Sequence, residues 1–245
     1  MLPSLLPGLR ELRTPLAAGY IYLVAVFLVL SEKVPQAGKA GDRLSQLFAA
    51  VEWMGKPTAL AAGSFVAYLV GSLLEIRASA VLRFVQDIAE KHMKPSMRTR
   101  WLVLTPSGFN SLSTHMRKAY GSGVNPGERT LECVLADLPE VRDRLYGADK
   151  DLFADYDRMN AEADLKVNAG FAFMVLSITA YSMLGSVNWL LLLEPALFLI
   201  WRGFRRVRRA NDVLVQAIVV GAVRISTLEA FRRPTPDEED RSGRR

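Results

Sequence analysis

An apolar hairpin followed by clustered arginines occupies residues 167–209, which read VNAGFAFMVLSITAYSMLGSVNWLLLLEPALFLIWRGFRRVRR. Residues 167–184 and 187–193 carry no charge, and only Gly185 and Ser186 separate them. A helix needs about 20 apolar residues to cross a hydrocarbon core, and fewer where the bilayer thins or flanking side chains reach the interface. The pattern therefore predicts a second membrane hairpin at residues 167–201, and makes the chain an integral membrane protein.

Two further apolar stretches come earlier in the chain and predict an N-terminal membrane hairpin within residues 1–76. The first span, at about residues 15–31, follows two arginines, as in a signal peptide or a first transmembrane helix. We expect an uncleaved signal anchor, because Lys39 stands where cleavage needs a small residue. The second span covers residues 57–76. In the outer loop, residues 32–56, helically spaced apolar side chains predict a short amphipathic helix.

The second span carries a small residue at every fourth position, at Ala59, Gly63, Ala67 and Gly71. This spacing places all of them on one face of the helix, where small side chains let another helix approach closely. In lipid, such packing drives helix association. The partner is another span of the same chain or, alternatively, a second copy in a homo-oligomer.

A polar insert, residues 77–166, separates the second span from the third. We predict that it is mostly helical and cytoplasmic, because basic residues follow the second span directly. Residues 107–127 are rich in Ser, Gly and Asn and predict a loop, whereas 139–146 predict a helix with Asp137 as N-cap. The charged residues 148–166 predict a helix that continues into the third span.

A basic anchor and an amphipathic segment form residues 202–233. The anchor contains five arginines within eight residues: Arg202, Arg205, Arg206, Arg208 and Arg209. They fix the orientation of the fourth span, because Lys and Arg near span ends stay inside the cell, and they also attract anionic lipid at about 1 kcal/mol each. The apolar side chains that suit packing against the insert are Ile218, Val219, Ala222, Ile225 and Phe231. Residues 234–245 lack an apolar anchor and are expected to be disordered.

The predicted architecture is an all-α integral membrane protein with four transmembrane helices and both termini in the cytoplasm. Of the 31 Lys and Arg, four lie in the first outer loop and none in the second, so 27 lie on the inner side. This distribution obeys the positive-inside rule. The excess of arginine over lysine is typical of a GC-rich bacterial genome, and we expect a multi-pass protein of the bacterial inner membrane.

Glu194 is the candidate for an ion or proton path, because it falls near the middle of the predicted fourth span. A charge at that depth costs about 2.5–3.5 kcal/mol on insertion scales and is usually functional. Pro195 removes a backbone donor, so the two residues together predict a polar notch. One alternative is a protonated Glu194 that is hydrogen-bonded to Ser177, Thr179 or Asn168 of a neighbouring helix. Another is a shallow re-entrant hairpin, which would not place Glu194 at mid-membrane.

The residue types of an enzyme or a metal site are present only in part. Ser111, Ser113 and His115 with Asp137 supply the groups of an acyl-transfer site, but no nucleophile-elbow pattern accompanies them. Cys133 is the single cysteine, so an intramolecular disulfide is excluded. With only two histidines in addition, the chain offers few ligands for a zinc ion. We therefore expect no enzyme, no cofactor and no metal, and we place Cys133 in a core.

The net charge of +6 lies mostly beside membrane segments, so anionic lipid explains it better than nucleic acid does. Our first functional hypothesis is a non-enzymatic scaffold or signalling component that binds an unknown protein partner through the cytoplasmic insert. The alternative hypothesis is an oligomeric channel-like or transport protein that uses Glu194 in its path.

Overall fold

The computed structural model describes residues 6–30, 42–90, 103–120 and 133–223, and within these ranges it contains helices, turns and coil but no strand. The α-helices are α1 (Leu6–Leu30), α2 (Asp42–Leu73), α3 (Ala78–Glu90), α4 (Pro106–Tyr120), α5 (Leu138–Ala148), α6 (Lys150–Leu184) and α7 (Leu193–Val220). A 3-10 helix, Val187–Leu192, precedes α7. The prediction of an all-α chain is confirmed for the described residues.

Four helical stretches in this part of the chain are long and apolar enough to cross a membrane: Leu12–Leu30, Gly55–Ala89, Lys150–Leu184 and Val187–Val220. These candidate spans agree in number with the four predicted ones, by length and composition alone. The predicted continuity of the charged helix with the third span is also confirmed, because α6 runs unbroken from Lys150 to Leu184. The predicted disordered tail lies outside the described residues.

Helix α2 contains a kink at Gly55, where the backbone has φ +76° and ψ 162°. Glycine adopts this left-handed region without the steric penalty of a side chain. Pro57 follows, and proline is tolerated at a helix start because the first N–H groups have no intrahelical partner. The kink thus divides a short helix in the predicted outer loop from the predicted span at 57–76, as the sequence indicates.

The chain forms two compact units: a first unit of Met1–Val81 with Ala161–Phe204, and a second unit of Leu82–Asn160 with Arg205–Arg245. In the first unit, α1 and α2 cross at glycines. A β-carbon added at Gly19 would overlap the Ala67 carbonyl, and one added at Gly71 would overlap the Pro15 carbonyl. The two backbones are therefore as close as packing allows. The Tyr20 and Ser64 hydroxyls form a hydrogen bond between the same helices.

The α6 and α7 helices of the first unit also meet through small residues. A β-carbon at Gly170 would lie 2.6 Å from Ile200 Cγ1, and one at Gly203 would lie 2.6 Å from Val167 Cγ2. Ala163 and Ala196 are fully buried nearby in sequence. This second small-residue contact was not predicted, although its glycines and alanines are visible in the sequence.

The turn between α6 and α7 begins at Gly185, whose φ of +66° ends α6. The buried Ser177 hydroxyl donates to the Trp189 carbonyl at 2.7 Å and so ties the 3-10 helix to α6. Pro195 lies in the first turn of α7, as the third residue of the helix. Because N–H groups in a first turn have no intrahelical acceptor, Pro195 starts a helix here and does not interrupt one.

Asn168 of α6 anchors the segment that follows α2. Its side chain is 1% exposed. Its Oδ1 accepts from the Ile76 N–H at 2.8 Å, while its Nδ2 donates to the carbonyls of Ile76 and Asp164, each at 2.8 Å. One turn earlier, Asp164 Oδ1 accepts from the Ala78 N–H at 2.7 Å and holds the start of α3. The segment between α2 and α3 is thus fixed by two side chains of α6.

The second unit has a hydrophobic core of its own. Its buried members come from α4, α5, α7 and the flanking coil: Leu104, Leu112, Met116, Val134, Leu138, Val141, Leu145, Leu214, Val215, Ala217, Ile218 and Val223. Val219 and Ala222 pack against this core, so the predicted packing of the C-terminal amphipathic segment on the insert is confirmed for Ile218, Val219 and Ala222. Ile225 and Phe231 lie outside the described residues.

Two predictions for the insert are wrong. The part of the predicted loop at 107–127 that the structure describes is helical, because α4 spans Pro106–Tyr120 and buries Leu112 and Met116 in the core. Cys133 is exposed, since the adjacent Val134 takes the buried position. The N-cap position of Asp137 is correct, with a proline in the first turn of α5, although its side chain makes no capping hydrogen bond.

Candidate functional site

A cavity of about 400 Å³ in the second unit brings together chemically active side chains. Its lining residues come from the start of α4 and one face of α7: Thr105, Pro106, Ser107, Arg205, Arg208, Arg209 and Asp212. This volume lies within the range of small-molecule sites. Three of the five predicted anchor arginines are therefore part of a concave site.

The spacing of the arginines in α7 places them on one side of the helix. Arg205, Arg208 and Arg209 stand at i, i+3 and i+4, which are neighbouring positions on a helix surface. Another side of the helix is apolar, because Val207 and Ala210 are buried. Burial of that side turns the guanidinium groups towards the cavity.

Asp212 closes one end of the cavity and holds the first turn of α4. Its Oδ1 accepts from the Thr105 N–H at 3.1 Å, and its Oδ2 accepts from the Thr105 hydroxyl at 2.5 Å. The Thr105 Oγ1 in turn accepts from the Gly108 N–H at 3.3 Å and lies 2.7 Å from Ser107 Oγ. A β-carbon at Gly108 would overlap the Asp212 carboxylate, so only glycine permits this approach.

Burial perturbs two titratable groups of the site, both of which follow the apolar part of the fourth span. Burial raises the pKa of Asp212, and the two hydrogen bonds from Thr105 and the charges of Arg208 and Arg209 oppose this rise. Burial also lowers the pKa of Arg208, and the neighbouring charge of Arg205 adds to the effect. Arg208 and Asp212 are both half-buried, and charged groups that are partly removed from water occur often in binding sites.

The remaining two anchor arginines do not line the cavity. Arg202 belongs to the first unit, where its guanidinium carbon lies 5.3 Å from the centre of the Phe198 ring. The Phe198 and Trp201 rings are 5.8 Å apart. Cationic and aromatic side chains of this kind are enriched at membrane–water interfaces. Arg206 is half-buried in α7. Arg202 is thus separated from the cavity by its position along α7, and Arg206 by the side of the helix that it occupies.

Glu194 lies in the first turn of α7, and its side chain is exposed. The predicted notch at Pro195 is not formed by an interrupted α-helix, because a 3-10 helix precedes it. The hydrogen bonds given above for Asn168 and Ser177 join these residues to Ile76, Asp164 and Trp189. A role for Glu194 in an ion path stays a prediction.

The predicted small-residue face of α2 divides into two halves. Ala67 is fully buried and Gly71 meets Pro15, so both lie at the crossing with α1. A β-carbon at Gly63 would meet nothing within 4 Å, and Ala59 is half-buried. Only the half that includes Ala67 and Gly71 is thus used within the described part of the chain.

The serines and the histidine noted in the sequence for acyl transfer lie on α4 and do not line this cavity. Ser113 lies in α4 and donates its hydroxyl to the Asn110 carbonyl at 3.0 Å. Ser111 and His115 line a separate, open depression on the same helix with Asn110, Thr114 and Lys118. Among the side chains that the structure describes, no cluster of His, Cys, Asp and Glu has the composition of a metal site.

The sequence alone did not reveal Thr105, Ser107 and Asp212 as site residues. The sequence predicts a loop from Ser107 onward, whereas in the structure a helix starts at Pro106. A usable signal existed, since threonine before Pro-Ser-Gly is also a helix start with proline in the first turn. Nothing in the sequence paired it with Asp212.

Four apolar helices joined to a polar unit with its own core are the elements of a helical membrane protein. Comparison with protein families, characterised proteins and solved structures gave no match for this chain.

Proposed function

We propose that this protein is a non-enzymatic scaffold or signalling component of a bacterial inner membrane, and that its second unit binds a protein partner in the cytoplasm. The observation that carries this proposal is the separate hydrophobic core of the second unit, built from both the insert and the C-terminal part of α7. A connector between two spans needs no such core. A folded module held at a membrane is suited to binding.

The partner surface that we propose is the exposed apolar pair on α3. Phe84 is 64% exposed and Ile88 is 52% exposed, and their spacing of four residues places them together on one side of the helix. Exposed apolar side chains that adjoin one another are a common feature of binding sites. Leu82, which is buried, marks a different side of the same helix.

A photo-crosslinking residue at Phe84 tests the proposal in intact cells. We expect one discrete crosslinked protein from Phe84 and none from the same residue placed at Asp151, which is exposed in α6 of the same unit. Crosslinks to lipid alone, or equal crosslinking from both positions, would contradict the proposal. The full-length protein in its own membrane is used throughout.

The proposed orientation has four spans, with the insert and both termini in the cytoplasm. Cys133 is the only cysteine, lies in the insert and is exposed. Its labelling therefore reports on which side of the membrane the insert lies. We expect a membrane-impermeant maleimide to label it in inverted vesicles and not in spheroplasts. In a Cys133→Ala chain, Lys56→Cys in the predicted outer loop should give the reverse pattern, since Lys56 is exposed. Labelling of Cys133 from outside would reject this topology.

The alternative, an oligomeric channel or transporter, requires Glu194 to face a path. Because Glu194 is exposed on the described surface, such a path would have to form between copies of the chain. Four spans are few for a transport path within one chain. The separate core of the second unit therefore supports the scaffold proposal more directly.

A further inference from the structure

We propose that the cavity between Arg205, Arg208, Arg209 and the start of α4 is a binding site for a phosphate monoester. This inference goes beyond the proposed scaffold function and does not depend on it, because the site, its residues and its ligand differ from the apolar surface on α3. A phosphate monoester is a compact group that carries close to two negative charges near neutral pH. The argument rests on charge, geometry and volume.

The charge of the cavity matches a dianion. Three guanidinium groups against one carboxylate leave a formal charge of +2 among the lining residues. The Asp212 carboxylate is directed to Thr105, since each of its two oxygens accepts a hydrogen bond from that residue. The Asp212 carboxylate therefore holds Thr105 at the start of α4, and it also interacts electrostatically with Arg208 and Arg209.

The geometry of the arginines suits phosphate oxygens. Arg205, Arg208 and Arg209 stand at i, i+3 and i+4 of α7 and all line the cavity, and Arg208 is half-buried. The planar guanidinium forms paired N–H bonds to phosphate oxygens.

Ser107 lines the other wall of the cavity. Its hydroxyl donates to Thr105 Oγ1 at 2.7 Å, because the Thr105 proton is donated to Asp212. The hydrogen-bond donors for an anion therefore come from the arginines. The cavity volume of about 400 Å³ exceeds that of a phosphate group, so it also admits an organic substituent. The ligand is therefore a substituted phosphate, from a lipid headgroup such as phosphatidic acid or from a soluble monoester.

Binding is tested with the full-length protein in phosphatidylcholine nanodiscs, by calorimetric titration with inorganic phosphate. We expect saturable binding that Arg208→Gln weakens about tenfold or more, because a charge-assisted bond is lost. The matched control is Arg117→Gln, which removes the same charge from an exposed position on α4 outside the cavity. Equal affinities for the two variants would overturn the proposal.

A second variant separates ligand binding from a purely structural role. Asp212→Asn keeps an acceptor for the Thr105 N–H and removes the negative charge, so phosphate affinity should rise. A site that only supports the fold would show no gain. Unchanged or weaker phosphate binding by a folded Asp212→Asn protein would count against the proposal.

The lipid arm uses the same nanodiscs with either phosphatidic acid, a monoester, or phosphatidylglycerol, a diester, and measures the midpoint of thermal unfolding. A larger rise with phosphatidic acid, abolished by Arg208→Gln, identifies a lipid headgroup as the source. Phosphate binding without this difference identifies a soluble monoester. If phosphate does not bind and the two lipids act equally, the cavity is not a phosphate site.

Discussion

Replacing Asn168 with leucine is expected to lower the free energy of unfolding by about 2–4 kcal/mol. The side chain is 1% exposed and makes three hydrogen bonds, two of them to the N–H and C=O of Ile76. Leucine has a similar volume but no polar atom, so both backbone groups of Ile76 lose their side-chain partner. Each of the three partly buried hydrogen bonds of Asn168 contributes about 0.5–1.5 kcal/mol to stability.

The measurement is the midpoint of thermal unfolding of the detergent-purified protein, followed by circular dichroism, and a fall of several degrees is expected. Asn188→Leu makes the same chemical change at an exposed position of the 3-10 helix and serves as the control. If the two variants unfold at the same temperature, the Asn168 contacts do not stabilise the segment between α2 and α3.

The positions of the apolar helices could be predicted because the membrane imposes length and composition on them. Residues 167–184 form an uncharged run too long for a polar loop, and in the structure α6 ends at Leu184.

Glycines could be used to predict the turns, also for a physical reason. The φ of +66° at Gly185 and +76° at Gly55 both require a residue without a β-carbon.

Helix α4 could not be predicted because its local sequence opposes it. Its Ser, Asn and Gly residues favour turns, since their side chains compete for backbone hydrogen bonds or leave the backbone free. Burial of Leu112 and Met116, one turn apart, overrides this tendency by packing the helix into the core of the second unit. That packing depends on residues such as Leu214, which lie about a hundred positions away in the sequence.

The cavity on α7 was predictable only in part, because it too depends on packing between residues that are distant in the sequence. Five arginines are visible in any reading of residues 202–209, but their division between an interface and a cavity depends on which side of α7 is buried. The contact between Thr105 and Asp212 joins residues 107 positions apart. No local pattern fixes such a pairing, which arises only when α4 and α7 pack together.

Gly71→Leu is expected to disrupt the crossing of α1 and α2. A β-carbon at this position would overlap the carbonyl of Pro15, which is backbone and therefore cannot turn aside as a side chain would. The helices must separate, and the contacts of Gly19 and Ala67 are lost with them. Inserting bulk into a close-packed contact costs about 1–3 kcal/mol and more when backbones must move, so we expect at least about 3 kcal/mol.

Gly63→Leu is the matched control, because it makes the same substitution two turns earlier on the same predicted face of α2, where a β-carbon meets nothing within 4 Å. We expect it to leave the unfolding midpoint unchanged while Gly71→Leu lowers it. Equal destabilisation by both would mean that the Gly63 half of the face is also packed, and among the described residues nothing packs it, which would favour a second copy of the chain. The mass of the detergent complex decides that point, since Gly63→Leu would then convert a dimer to a monomer, whereas loss of the α1–α2 crossing through Gly71→Leu acts within one chain.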